Sequence, residues 1–383
     1  MKKIIQLARE IGHGGGGGVS VVAQELERSF SSLGVKAERF TLADVSCFHQ
    51  DKVTLAERNL IVKKLKLLFD VVIFSIWGGL VAKWRLKGDK GTATIAHNDI
   101  MYGDIYINHG LHIDMLMSSA SPLKMLLRNP IHPFLIVREW LRHKFSVHKA
   151  IVCFCASDAE RLAKFYPSSR DKIHIIPNGI NLKKYAPDIT KRVSVRSELS
   201  LNNDDFVMIF VGHEFDRKGL KYIINALNKT TDDVKLLVVG GGDFNSIEKY
   251  KKVATDSNLS NRVFFLGVRT DVPDLLNASD VFILPSRYET WALVGLEAMA
   301  CGIPVLMKPT GGISDYLSDG VNGFTIERSA DDISKKISMM RNNRDLMDSM
   351  SRNARATAEK YSWEIIAKKY LALLDTIQEE KNA

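Results

Sequence analysis

Residues 284–304 read LPSRYETWALVGLEAMACGIP. An apolar run, Val281–Leu284, predicts a strand that stops at Pro285. A loop then carries Glu289, and a periodic apolar stretch from about Trp291 predicts a helix. Glu297 stands about two turns into that helix among apolar neighbours, so its carboxylate needs a hydrogen-bonding partner. A ribose diol is a suitable one. At the helix start the N–H groups of Trp291, Ala292 and Leu293 lack intrahelical acceptors and can hold a phosphate. Glu289, just before that start, would then face a sugar attached to the phosphate. Two solvated surface glutamates are the plainer alternative.

The same alternation of short apolar runs with longer amphipathic stretches extends in both directions, which reads as α/β with parallel sheets. On this stretch's own side the strand candidates are Val207–Val211, Lys235–Val239, Val263–Leu266, Val281–Leu284, Val305–Met307 and Gly323–Ile326. Before it they are Ile4–Ala8, Ala37–Phe40, Val71–Ser75, Thr92–Ala96, Ile151–Cys155 and His174–Ile176, with a clear helix at Ser20–Leu33. Turn chemistry at Pro177-Asn178-Gly179-Ile180-Asn181 separates the two series. A chain of 383 residues is long for one core. The expected division is 1–183 and 184–360, with a last amphipathic helix over about 361–383. Two doubly wound units make a ligand cleft between domains the default expectation.

Composition fits a globular protein: 45% hydrophobic and 25% charged. The net charge is +9, and it is lopsided, +10 through Lys183 and −1 beyond. Such a first half suits nucleic acid, an anionic membrane or an anionic substrate, and charge alone does not choose. The longest nearly apolar run, Phe69–Ala82, reads as too short to span a bilayer. The residues after Met1 lack a signal-peptide pattern, so the expected location is the cytoplasm. Cys47, Cys153, Cys155 and Cys301 have no metal-ligand spacing, and a reduced protein is the simple reading.

Three further places could carry chemistry. Gly14–Gly18 follow the first strand and precede a helix, so backbone N–H groups there, those of Gly17 and Gly18 included, can approach a phosphate or sugar. The match of Gly12, Gly14 and Gly17 to a dinucleotide fingerprint is nearly automatic in a glycine run. In the second half Gly212 ends a strand, and Arg217 and Lys218 put two charges at the carboxyl end of the sheet. They can neutralise a diphosphate leaving group without a divalent ion. His97 lies just past the Thr92–Ala96 strand, at the ligand face, with a hydrogen-bonded structural histidine as the plainer alternative. His109 and His112 are weaker competitors, and Asp99 and Asp114 are candidate acceptor contacts for which surface solvation is the plainer explanation. Between Ser121 and Ala150, six basic residues, Arg138 and Arg142 among them, stand against one acid and are interleaved with Phe134, Trp140 and Phe145. That pattern suits an anionic membrane surface or a lipid-linked acceptor, or an ordinary core helix with a basic outer face.

Glu289 and Glu297 form an E-x7-E pair that resembles the signature of glycosyltransferase family 4, the group 1 retaining enzymes of GT-B fold. Pro285-Ser286, Leu296–Ala300, Gly302, Pro304, Gly311-Gly312, Arg217-Lys218-Gly219, Val263–Gly267 and Ile176–Ile180 resemble that family too, so the likeness covers nearly the whole chain. It implies two Rossmann-like domains facing a central cleft, with the last helix crossing back to the first. It also implies that Glu289 contacts the donor sugar and Glu297 the ribose. Arg217 and Lys218 would bind the diphosphate, Val268 would lie against the base, and a histidine, here His97, would stand near the transferred sugar. Many members carry G-F-G after the first glutamate, where this chain has Thr290-Trp291-Ala292. The change narrows the loop and adds a hydroxyl and an indole near the phosphate.

The resulting expectation is a retaining transferase that moves a sugar from a nucleotide-diphosphate sugar, a UDP-sugar first, to a glycan or lipid-linked acceptor. It needs no metal and no further cofactor, binds no nucleic acid, and works in cell-envelope polysaccharide or lipopolysaccharide assembly, with a peripheral contact at the cytoplasmic face of the inner membrane as part of the expectation. A nucleotide-sugar epimerase of the same architecture is the first alternative. A non-enzymatic basic binding module is the second, and it leaves Glu289–Glu297 unexplained.

Overall fold

The computed structural model describes residues 3–11, 18–45, 60–87, 89, 91–117, 121–129, 131–241 and 244–382. The chain divides into two compact units, Met1–Gly179 with Trp363–Ala383 and Ile180–Ser362.

The first unit holds a six-stranded parallel sheet. Its strands are β1 (Lys3–Leu7), β2 (Lys36–Phe40), β3 (Thr92–His97), β4 (Ile105–Ile107), β5 (Ala150–Cys153) and β6 (Ile173–Ile175), in the order β2-β1-β3-β4-β5-β6. Strands β3, β4 and β5 are buried at every residue, as expected for strands covered on both faces. Helices α1 (Gly18–Ser32), α2 (Leu60–Ile73), α3 (Gly79–Arg85) and α4 (Ile131–Lys144) belong to this unit.

Two readings fail here. Val71–Ser75 is not a strand: α2 runs into a π-helical turn, Phe74–Gly78, and on into α3. A short β-branched run has no period of its own, and the burial around it does. Val71, Phe74, Ser75, Gly78, Gly79 and Ala82 face inward at alternating steps of three and one. The sheet position goes instead to β4, a three-residue strand between β3 and β5 that sequence reading passed over. Asp104, just ahead of β4, ties it to β3 by accepting from Thr94 N at 3.0 Å and Thr94 Oγ1 at 2.9 Å. The whole helical stretch Leu65–Arg85 is also long and apolar enough, by length and composition, to cross a membrane, with a third of its window buried in the protein. The 14-residue apolar run understated it.

The second unit repeats the parallel architecture. Strands β7 (Phe206–Val211), β8 (Val234–Val239), β9 (Val263–Gly267), β10 (Val281–Leu284), β11 (Val305–Met307) and β12 (Gly323–Thr325) are ordered β12-β11-β10-β7-β8-β9. Helix α5 (Leu293–Ala300) follows β10. The chain then returns to the first unit as α6 (Trp363–Asn382), which packs on α1. Ile366, Ala367, Tyr370, Leu374 and Ile377 are buried along it, each large side chain worth about 1.5–3 kcal/mol. Gln378 Nε2 donates to Thr92 O at 3.3 Å. Trp363 lies flat against Gly179, where a Cβ would come within 2.5 Å of the indole.

Candidate functional site

In the second unit the chain leaves β7 toward β8 on one side and leaves β10 toward β11 on the other. The crevice at the carboxyl ends of these neighbouring strands is where a doubly wound sheet binds ligands. Gly212 follows β7, and its lack of a side chain is required: a Cβ would sit 2.3 Å from Lys218 Cδ. One helical turn, Phe215–Lys218, then presents Arg217 and Lys218 and ends at Gly219, whose φ of +84° suits glycine.

The loop after β10 brings Glu289 to meet them. Its Oε1 accepts from Lys218 Nζ at 2.9 Å, Ser286 Oγ at 2.7 Å and Arg217 Nη1 at 3.3 Å. Burial raises the Glu289 carboxyl, but Lys218, Arg217 and the Ser286 hydroxyl outweigh it and hold it below the ordinary value. Arg217 also donates to Tyr288 O, which fastens the two loops together. Arg328, which sequence reading missed, clamps the same junction from behind: Nη1 reaches Arg217 O at 2.8 Å and Pro285 O at 3.0 Å. It comes from beyond β12, and nothing local in the sequence marks it.

The glycine pair after β11 has a packing reason. A Cβ on Gly311 would lie 2.0 Å from Glu289 O, and one on Gly312 2.1 Å from Trp291 Cε3. Trp291 is buried against Tyr316 and Tyr361, with no partner for its Nε1 among the described residues. Ala292 caps α5 in the left-handed region, φ +50° and ψ +65°. The N–H groups of Trp291 and Ala292 donate to no backbone carbonyl among the described residues, and Leu293 opens the helix. Loss of the family's glycines therefore leaves the glycine-like backbone in place at Ala292, while the indole turns inward.

Glu297 is half-buried in α5, and burial raises its carboxyl above the ordinary value against the Tyr185 hydrogen bond and the Lys184 charge. Tyr185 is a second residue that sequence reading missed; the Pro177–Ile180 boundary lies close upstream of it. Val268, just past β9, is 71% exposed and stands over Gly241, where a Cβ would meet its Cγ2 at 2.9 Å. Gly212, Arg217, Lys218, Val268, Thr290, Ala292 and Leu293 thus all lie in loops or at a helix start beyond the carboxyl ends of one sheet.

In the first unit Gly17 lies outside the described residues, and Gly18 opens α1 with nothing among the described residues within 4 Å of a Cβ position. His97 ends β3, only 1% exposed, and burial takes its pKa down to about 3. Gln6 Nε2 donates to Ala23 O at 2.7 Å, which turns Gln6 Oε1 toward His97 Nε2 at 2.9 Å. The network therefore puts the His97 proton on Nε2, and Nδ1 accepts from His109 Nε2 at 3.2 Å. His97 has no ring nitrogen left for a sugar, contrary to expectation; the part-exposed His109 stands in front of it.

Arg138 and Arg142 are a second correction, because they do not face outward. They are 4% and 2% exposed. Arg138 Nη1 donates to Ser75 Oγ at 3.0 Å and Asp99 Oδ1 at 3.3 Å; Arg142 Nη2 donates to Asn98 O at 2.6 Å and Ile100 O at 3.2 Å. They brace the turn after His97 rather than a membrane contact. Trp140, on the other side of α4, is exposed, with Lys144 Nζ 4.3 Å from its ring centre. Among the described residues no three His, Cys, Asp or Glu side chains cluster as a metal would require.

Residues 192–357 match the family described as glycosyl transferases group 1. The chain is 31% identical to the alpha-maltose-1-phosphate synthase of Mycobacterium tuberculosis over 268 residues, 66% of this chain and 69% of that one. It is 35% identical to the UDP-Gal:alpha-D-GlcNAc-diphosphoundecaprenol alpha-1,3-galactosyltransferase of Escherichia coli over 184 residues, 46% of this chain. There it spans about half the relative's length, 47%. The solved sucrose-phosphate synthase of Thermosynechococcus elongatus superposes over 98% of this chain and 99% of its own at a TM-score of 0.75 and 18% identity, which shows a common GT-B fold.

Proposed function

The chain belongs to the group 1 glycosyltransferases, and from that premise we propose that it transfers a sugar from a UDP-sugar, with retention, to a lipid-linked acceptor in cell-envelope glycan assembly. The observation that carries this reading is the convergence of Lys218 Nζ and Arg217 Nη1 on Glu289 Oε1 at 2.9 Å and 3.3 Å. Two cations held by one buried carboxylate make a ready site for a diphosphate. The N–H groups at the start of α5 add positive potential beside it. Arg217 and Lys218 stabilise the charge that develops as the sugar–phosphate bond breaks. Glu289 then turns from holding the cations to contacting the sugar. Glu297 and Tyr185 bind the ribose, and the base rests on Val268.

The two cations suffice for charge neutralisation in this reading, so turnover continues in EDTA. The UDP-sugar and the lipid-linked acceptor are supported by the substrate named for the Escherichia coli relative. Attachment at the cytoplasmic face of a membrane follows from such an acceptor.

The test is to incubate the full chain with a panel of UDP-hexoses and a polyprenyl-diphosphate sugar in EDTA, and to read the product's anomeric configuration by NMR. Retained configuration on the lipid product is the expected result. Interconversion of UDP-sugars without an acceptor, or turnover abolished reversibly by chelator, would overturn it.

A further inference from the structure

The second half of helix α4 is built inside out. Arg138, Glu139, Arg142 and His143 are buried, whereas Val137 and Trp140 are exposed, in a stripe with Pro133 and Lys144 at steps of four, three and four. Most of the inward polar groups find partners within the protein, although Arg138 Nε, Arg142 Nε and His143 Nε2 have none among the described residues. Beside the contacts of Arg138 and Arg142, Glu139 accepts from His112 N at 2.7 Å and Tyr166 Oη at 2.8 Å, and His143 Nδ1 meets Ser169 Oγ at 3.0 Å. A helix in water normally does the reverse.

The helical stretch beside it does the same with larger residues. Leu68 and Val71 pack on Ile131, Phe134 and Leu135 of α4. The opposite face shows Leu65, Phe69, Ile76, Trp77, Leu80 and Trp84, with Phe69 65% and Trp84 76% exposed. The extra residue in the π turn sets Ile76 and Trp77 side by side on the outside. Of the five tryptophans in the chain, Trp77, Trp84 and Trp140 are exposed, and all three lie on these two neighbouring helices; Trp291 and Trp363 are buried. Single exposed apolar residues are unremarkable, but a continuous aromatic face marks a partner.

The geometry points to an anionic lipid bilayer as that partner, met by the outer faces of Leu65–Arg85 and Ile131–Lys144, which lie in the headgroup region without crossing it. Charge selects the occupant. From Leu65 to Lys87 the sequence carries Lys66, Lys83, Arg85 and Lys87 against Asp70 alone, and Lys144 caps the exposed stripe of α4. Apolar and indole groups flanked by lysines match the boundary between acyl chains and acidic headgroups. Spanning is disfavoured because Phe74, Ser75, Gly78 and Ala82 are locked into the core of the first unit. This surface differs from the one that the Ser121–Ala150 charge count suggested, since two of those six cations face inward. It rests on the lipid-linked acceptor reading only for its purpose.

The experiment is sedimentation of the full chain with vesicles of phosphatidylethanolamine and phosphatidylglycerol at about 7:3, against phosphatidylcholine vesicles. Wild type is expected to pellet with the anionic vesicles and to be released by about 0.5 M NaCl. Trp77→Gln/Trp84→Gln lowers the partition coefficient at least about tenfold. Lys83→Glu/Lys87→Glu does the same on anionic vesicles only. Both variants keep the wild-type thermal shift with UDP, which shows that the fold and the second unit are intact.

Partition unchanged in the tryptophan variant overturns the proposal. So does pelleting that survives alkaline carbonate, which would mean a spanning helix, or a lipid-free dimer that Trp77→Gln/Trp84→Gln dissociates, which would mean a second copy. Vesicle binding without transfer to any lipid-linked acceptor would refute the acceptor reading and leave this surface standing.

Discussion

The two units share a parallel six-stranded design and differ in where most of their notable polar residues stand, although the second also buries Arg196, Asp205 and Arg262. In the second unit charge collects at the carboxyl end of the sheet, where Arg217, Lys218 and Glu289 form a compact cluster on loops. In the first unit charge goes inward: Arg138, Arg142, Glu139, His97, His143 and His148 are all buried. The first arrangement is what the proposed diphosphate site needs. The second frees helix faces to be apolar on the outside, and it makes the unit depend on the protonation state of its interior.

That dependence gives the largest expected effect. Burial holds His97 and His148 near pKa 3 and His143 near 4, against an ordinary 6.5. Each folded value lies below the unfolded one, so between them the unfolded state binds more protons and stability falls as pH falls through 6.5. At pH 5 the cost is about 2 kcal/mol for each, or about 6 kcal/mol together, a large share of a typical domain's stability. The second unit's only histidine, His213, is exposed. Hydrogen exchange followed from pH 7.5 to pH 5 is expected to show β3, β4 and β5 losing protection while β7 and β8 keep theirs. Equal loss in both units would erase the contrast.

The next effect sits in the second unit. Lys218→Ala removes a half-buried cation that the proposed reading sets against the diphosphate, and leaves Glu289 with Arg217 and Ser286. Transferase kcat/KM is expected to fall by about 10²–10³, in line with loss of one preorganised transition-state contact. The fold should tolerate the change, because Glu289 keeps two donors. A fall below about threefold would mean that the cluster is structural.

How much of this could be read from sequence follows the same divide. All six strands of the second unit are apolar runs that stop at a turn, and Glu289, Lys218 and Gly212 sit on the strand–loop–helix units that those runs announce. In the first unit Val71–Ser75 looks like a buried strand because five apolar or small residues have no period; packing of Val71 against α4 and of Phe74 against the sheet marks them as helix. Ile105–Ile107 is too short to register. Arg138 and Arg142 look solvent-facing because their acceptors are carbonyls of residues 98 and 100 and the side chains of Ser75 and Asp99, which only the folded chain brings near. Arg328 and Tyr185 were missed for the same reason: each reaches the site across the fold, without a local motif.

Glu297 gives a smaller effect with two signs. Its folded pKa is raised, so the folded state binds the extra proton and stability falls as pH rises through that value. Glu297→Gln therefore raises the ligand-free Tm at pH 7.5, and the gain fades in acid. A hydrogen bond to a charged group contributes about 1.5–3 kcal/mol, so UDP affinity is expected to fall about tenfold or more by calorimetry. Unchanged affinity would separate Glu297 from the ribose.

The smallest effect tests whether the loop between the two glutamates is strained. Ala292 holds φ at +50°, a region that costs a residue with a Cβ about 1–2 kcal/mol. Ala292→Gly removes that cost but gives the unfolded chain more freedom, which returns about 0.4–1 kcal/mol. The net gain should be about 0.5–1 kcal/mol in urea unfolding. Ala292→Val should lose more than the glycine gains, since a β-branched residue fits this region worst. The backbone N–H groups that the proposed reading assigns to the phosphate are the same in all three proteins. UDP affinity should therefore track the stability order only weakly, whereas Lys218→Ala changes affinity at constant fold. A destabilised Ala292→Gly protein would show that the left-handed turn is relaxed in solution, and that alanine there is not a strained substitute for glycine.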